Sequence, residues 1–250
     1  MSRLPISRRA ILAAPGILAV WTEAAATADT PPREVHMRLA RATEEDPVVA
    51  LTLDACPGAF DERLLAGLVE ARIPATIFAS GLWLRRNPRG LALLLAHRDL
   101  FAIENHGARH FPPILGHRRF FGLAPAGDLD AIRAEVIEGA AEVRAATGLA
   151  PKWYRAAAGY YSPGAIPLIR DLGFGVAGFS LNADMGASLP ARTVARRIAT
   201  AADGDVIVAH VNQPMRSSGA GVLAGARALR ARGVKFARLD GLEPAAVTYI

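Results

Sequence analysis

A few residues set far apart in the chain are of the types that ligate metals and move protons. Asp54 ends the apolar run "VVALTLD", His106 and His110 stand four apart in "NHGARH", Arg155 lies in "KWYRAA", and His210 ends "DVIVAH". Asn182 and Asp184 share the stretch "SLNADMG". Two imidazoles at that spacing can lie on one side of a helical turn and converge on a single ion, and zinc suits such a pair best. Taken singly, each residue has a plain structural role: Asp54 as a helix cap, His210 as a core histidine bonded to backbone, Arg155 as an ion-pair partner. Together they include three of the six histidines, and they fall at the ends of successive apolar runs.

Those runs are the elements that must position them. "VVALTLDA", "ATIFAS", "FAIENH", "KWYRAA", "GVAGFSL", "DVIVAHV" and "VKFARL" read as buried strands, and amphipathic stretches such as "DERLLAGLVEA" and "DLDAIRAEVIEGAAEVRAATG" read as the helices between them. The helix "LWLRRNPRGLALLLAH" should break near Pro88. Strict alternation predicts a parallel α/β sheet, and at this length closure into a (β/α) barrel of about seven strands is favoured over an open doubly wound sheet. No glycine-rich GxGxxG follows the first strand, which counts against a dinucleotide site. In such barrels the chemistry sits at the C-terminal ends of the strands, where Asp54, His106, His110, Arg155, Asn182, Asp184 and His210 fall.

Residues 1–28 stand apart from the domain. The twin-arginine stretch "SRRAILAAPGILAV" leads to the small-residue site "ATA" before Asp29, the pattern of a Tat-type export signal. Its apolar part is too short for a membrane span. The expected organisation is therefore a signal at 1–28, a polar lead at 29–46 and one barrel domain at 47–250. The mature protein would be periplasmic or secreted, with no stable membrane insertion. The formal charge is +6 and rests almost wholly on arginine, with Lys152 and Lys235 the two lysines. The arginines are scattered without interleaved aromatics, so nucleic-acid binding is not expected. With one cysteine, Cys56, no disulfide can form within the chain, and a composition 52% apolar must hold the fold by its core.

The order of these motifs resembles the polysaccharide deacetylase (NodB-homology, carbohydrate esterase family 4) superfamily over roughly residues 47 to 241. The resemblance implies a distorted (β/α) barrel and a metal-dependent removal of N-acetyl groups from an amino-sugar glycan, peptidoglycan or a chitin-like polymer. "TLDACPG" resembles the family's T-F-D-D-G-P, making Asp54 the catalytic base. "HGARH" resembles H-[ST]-x-x-H, making His106 and His110 metal ligands. "YRAAAGYY" resembles the arginine segment, in which Arg155 holds the base, and "VIVAHVNQP" the segment whose His210 is the general acid. Either Asn182 or Asp184 stands where the family has the aspartate that orients that acid. Tyr160, Tyr161, Val208 and Asn182 are the positions expected to border the substrate, and the loop from Phe111 to Gly127 is expected over the barrel mouth.

Two departures stand out. The family's pocket tryptophan is missing, and Ala55 replaces its second aspartate, normally the third metal ligand. Asp54 is the expected substitute ligand, ahead of a site with no third protein ligand, then Cys56, then Asp61. Two other functions stay open: a glycan-binding homologue without turnover, and a metal-dependent hydrolase of another C–N substrate.

Overall fold

The structure is a computed structural model and describes residues 30–40, 47–242 and the backbone of 247–249. The expected export signal lies outside the described residues. Two short strands, β1 (Arg33–Glu34) and β2 (Met37–Leu39), precede the long β3 (Val48–Ala55). The chain then runs α1 (Glu62–Glu70), β4 (Ala75–Ala79), α2 (Gly81–Arg86), α3 (Pro88–Ala96), β5 (Phe101–Asn105), α4 (Leu129–Thr147), β6 (Trp153–Tyr154), β7 (Tyr160–Tyr161) and α5 (Ala165–Asp171). It continues through β8 (Gly175–Val176), β9 (Leu181–Asn182), α6 (Ala191–Ala199), β10 (Val206–His210), α7 (Ser218–Ala231), β11 (Lys235–Ala237) and β12 (Val247–Tyr249). Among the described residues no helix is long and apolar enough to cross a membrane.

Eight of these strands form one sheet in the order β8-β6-β5-β4-β3-β10-β9, with β11 on the first residues of β3, and every ladder is parallel. The run "VVALTLDA" is almost uniformly apolar because both of its faces are buried. Val49, Leu51, Leu53 and Ala55 pack outward with Leu64, Leu65 and Leu68 of α1. Ala50 faces inward, in a cluster with Phe78, Val206, Val208 and Met37. Period-two alternation thus turns the other set of β3, Thr52 and Asp54, toward the barrel interior.

Closure is achieved by one stretch, residues 175–182. Its first part pairs with β6 and its last part with β10. In between, the Phe179 amide donates to the Val35 carbonyl and the Ser180 amide to that of Val206. A side chain at Gly178 would collide with the Val35 carbonyl, so the crossing requires glycine there. The expected strand "GVAGFSL" is therefore two strands with different partners, and the sheet curls into the distorted (β/α) barrel expected. The lead at 29–46 is more than a polar tether: Met37 and Leu39 are buried in the inner cluster, and β2 pairs with β12.

Helix ends follow their local chemistry. Asp61 accepts from the Leu64 amide at the start of α1 and Asp128 from Ala131 at the start of α4, while Gly148 ends α4 at φ 78°. Asp61 thus serves as a cap and is not among the residues whose donor atoms cluster as a metal site. The break between α2 and α3 falls at Asn87, as Pro88 requires.

Candidate active site

The register of two neighbouring strands builds the centre of the site. β3 and β10 pair so that Asp54 lies directly opposite His210, both at the C-terminal ends. On the other side, Arg155 follows β6 and reaches into the interior with no exposed surface. Its Nη1 donates to Asp54 Oδ1 (2.9 Å) and to Thr52 Oγ1 (2.7 Å), its Nη2 donates to the Gly178 carbonyl (2.9 Å), and its guanidinium lies 4.2 Å over the Phe78 ring. A buried guanidinium fixed at this many points cannot be replaced by a point charge on a flexible stem. Burial pushes the Asp54 carboxyl up, but Arg155, His106 and His210 together more than offset this, and the group stays below its ordinary range. Asp54 is therefore an ionised carboxylate at neutral pH.

His106 follows β5. Its Nδ1 donates to the Arg155 carbonyl at 2.8 Å, since a carbonyl can only accept, and this turns Nε2 toward the Cys56 thiol and the Asp54 carboxylate. The expected helical turn between the two histidines is not formed. Gly107 (φ 82°) and His110 (φ 66°) are left-handed, and an irregular loop brings the rings to 4.8 Å between centroids. The loop is pinned from α4: Glu135 Oε1 accepts from the amides of Arg109 (2.8 Å) and Phe111 (3.1 Å), and its carbonyl accepts from Ala108. Gly139 lets α4 come this close, since a Cβ there would sit 2.6 Å from the Gly107 carbonyl carbon.

Cys56, one residue past β3, joins this pair. Its Sγ lies 3.5 Å from His106 Nε2, and the ligating atoms of Cys56, His106 and His110 all fall within 4.8 Å of one another. His110 Nε2 is buried with no hydrogen-bond partner among the described residues, as an atom placed to take an ion would be. Burial raises the Cys56 thiol, yet the surrounding histidines, His110 first, hold it well below its usual range. A thiol and two imidazoles fit a divalent cation with nitrogen and sulfur preference. Asp54 stands slightly apart, with Oδ2 4.0 Å from His106 Nε2.

His210 is held from behind by Asp184, which is fully buried. Asp184 Oδ1 accepts from His210 Nδ1 (2.9 Å) and Oδ2 from the His210 amide (2.8 Å). Burial alone would lower the imidazole, but the Asp184 bond dominates the polar contributions that raise it well above its ordinary value. Asn182 takes the other part: its Oδ1 accepts from the Met185 amide and shapes the turn that delivers Asp184.

A family model described as polysaccharide deacetylase matches residues 41–177. The chain belongs to the polysaccharide deacetylase family. No curated protein matches the sequence. Solved structures agree on the fold. The Bc1960 peptidoglycan N-acetylglucosamine deacetylase superposes with a TM-score of 0.67 at 19% identity over 82% of this chain and 90% of its own. A family 4 carbohydrate esterase from Streptomyces lividans gives 0.62 at 18%, over 80% and 94%. BA3943, a family 4 pseudoenzyme from Bacillus anthracis, gives 0.62 at 18%, and this chain covers 80% of itself but 66% of that protein.

Within this family member the remaining sequence candidates divide. Val208 lies two residues before His210 on the inward face of β10 and is 3% exposed. Tyr160 is part-exposed and packs on Phe120 (5.0 Å) and Phe121 (5.7 Å). The loop from Phe111 to Gly127 is tied to the segment after β6, with Ser162 donating to the Pro113 carbonyl and accepting from the Leu115 amide. Tyr161, expected at the substrate, is wholly buried, and its hydroxyl bonds the Ala156 amide and the Ala177 carbonyl, so it supports the fold instead. Sequence reasoning missed Glu135. Its signal was present, since a charged residue occupies the buried face of α4 shared by Ile132, Val136 and Gly139.

Proposed function

We propose that this chain is a metal-dependent hydrolase that removes N-acetyl groups from an amino-sugar glycan, peptidoglycan or a chitin-like polymer. The observation that carries the reading is the in-register pair Asp54 and His210. One is held ionised by Arg155 and the other is backed by Asp184, beside a metal-competent cluster. His106 and His110, with the Cys56 thiol next to them, would hold the ion. A bound divalent cation supplies Lewis acidity toward the acetamide carbonyl and makes water a nucleophile at neutral pH.

The chain's own residues then divide the proton work. Water delivers its hydroxyl to the acetyl carbon, and Asp54 accepts the proton that water loses. Arg155 keeps that carboxylate aimed and ionised until then. His210 donates its Nε2 proton to the nitrogen as the C–N bond breaks, and Asp184 stabilises the charged imidazole beforehand. The products are acetate and a free amine on the sugar. Phe120, Phe121 and Tyr160 offer aromatic faces on which sugar rings can rest, and Val208 lies beneath His210, where the acetyl methyl would sit. Export through the twin-arginine pathway, read from "SRRAIL" and "ATA", would bring the protein to such glycans. Replacing Arg8 and Arg9 with Lys should abolish periplasmic delivery.

A glycan-binding homologue without turnover is the second reading, favoured by Ala55, which offers no donor. The two separate by assay. Zinc-reconstituted protein should release acetate from N-acetylglucosamine oligomers or peptidoglycan and lose that activity to a chelator. Oligomer binding without any acetate, with metal bound, would establish the second.

A further inference from the structure

We infer that Cys56 is a metal ligand, as a thiolate, so that this chain carries a Cys–His–His site for a soft divalent ion such as zinc. This rests on the metal-dependent reading above and goes beyond it in naming the third donor and the class of ion.

The two nearby carboxylates and position 55 are each accounted for otherwise. Position 55 has no donor, and the Ala55 side chain packs in the apolar layer between sheet and helices with Leu53 and Leu65. Asp54 has Oδ1 bonded to Arg155 at 2.9 Å, and its Oδ2, 4.0 Å from His106 Nε2, stands outside the cluster formed by Cys56, His106 and His110. Asp61 caps α1. Cys56, by contrast, already stands in the coordination arrangement. Zinc–sulfur and zinc–nitrogen bonds of about 2.3 and 2.05 Å, set tetrahedrally, separate the two donors by about 3.6 Å. Sγ of Cys56 and Nε2 of His106 are 3.5 Å apart.

A plain thiol–imidazole hydrogen bond would give the same distance, but it leaves His110 unexplained. That ring turns on a left-handed residue, and its buried Nε2 has no hydrogen-bond partner among the described residues. Strain of this kind persists where the surroundings demand it, and the third donor of one ion is what His110 supplies. His106 is prepared in the manner of a ligand, its Nδ1 bonded to a backbone carbonyl and its Nε2 turned toward the Cys56 thiol. No second cysteine competes for the thiol.

Sulfur ligation selects the ion. Thiolate and imidazole favour zinc and cobalt(II) over magnesium, calcium and manganese, which prefer oxygen. It also leaves Asp54 to serve as proton acceptor without being a ligand.

The test uses the full chain loaded with cobalt(II), whose sulfur-to-metal charge transfer gives an intense near-ultraviolet band that nitrogen and oxygen ligands do not produce. The wild-type protein should bind one cobalt with that band. Cys56→Ser should lose the band and bind zinc at least about tenfold more weakly. Magnesium and calcium should not displace zinc from the wild type. Cobalt bound by the wild type without the band, a result that needs no variant, would overturn the inference, as would unchanged zinc affinity in Cys56→Ser. In either case loss of metal in His106→Ala would leave the metal-dependent reading standing. A wild-type protein that binds neither metal would overturn both.

Discussion

Asp184→Asn isolates the role of the acid at His210. Asparagine is nearly isosteric, and its Oδ1 can still accept from the His210 amide, which Asp184 receives at 2.8 Å. Its amide nitrogen, however, would face His210 Nδ1, where the carboxylate now accepts at 2.9 Å. The substitution thus deletes one charge-assisted hydrogen bond in a site with no solvent exposure at Asp184. Such bonds are worth about 1.5–3 kcal/mol. If the imidazolium loses that support as it donates its proton, kcat should fall roughly 10- to 150-fold. The loss should not exceed the roughly 10² to 10⁴-fold that a positioned acid contributes as a whole, since the acid itself is kept. KM for an N-acetylglucosamine oligomer should barely move, because Asp184 lies behind His210 and away from the mouth. The assay is acetate release at saturating substrate, with a thermal melt to show that the fold is kept. A kcat within about twofold of wild type, or a loss carried by KM, would refute the argument.

Arg155→Lys keeps the charge but removes the fork that joins Asp54, Thr52 and Gly178. Turnover should drop at least tenfold and the melting temperature should fall, whereas near-normal turnover would count against its role. Replacing Phe120 and Phe121 together with Ala removes the aromatic faces beside Tyr160 and should raise KM for oligomers with kcat retained. Unchanged KM would make the loop a packing element only. Glu104, 2% exposed, has its carboxyl pushed by burial up to about 7 despite accepting from the Lys152 and Trp153 amides. The fold therefore favours the neutral acid, whose stabilisation is full below about pH 4.5 and lost as pH rises to about 7, a change on the order of 3 kcal/mol. Denaturant melts of wild type minus Glu104→Gln should show that slope, and a flat difference would contradict the assignment.

The barrel was legible because its strands are buried on both faces and therefore read as unbroken apolar runs. The polar residues that end β3, β5 and β10 stand out against them. What escaped detection was short or geometric. β1 and β2 have two and three residues, too few for any period, and their contribution to the core shows only in Met37 and Leu39. The stretch 175–182 reads as one strand because hydropathy cannot tell that its two ends pair with opposite edges of the sheet. The spacing of His106 and His110 was informative about convergence but wrong about the means, since Gly107 and a left-handed His110 replace the helical turn. Asn182 and Asp184 could not be ranked from sequence, because the choice depends on a turn in which Asn182 serves the backbone. The third donor was ambiguous for a similar reason: Cys56 lies just past the strand, before Pro57 and Gly58, where alternation no longer fixes side-chain direction.

The central claim is that, beside a metal, Asp54 takes a proton from the attacking water and His210 gives one to the nitrogen of a glycan acetamide. The most direct measurement is acetate released from N-acetylglucosamine oligomers by zinc-loaded wild type and by Asp54→Asn, each with its metal content determined. The account predicts steady release by the wild type. It predicts a loss of at least about 100-fold in the variant with metal retained, because the proton acceptor is removed and the ligands are not. Release by Asp54→Asn within a few fold of wild type, or no release by wild type with its metal in place, would contradict it.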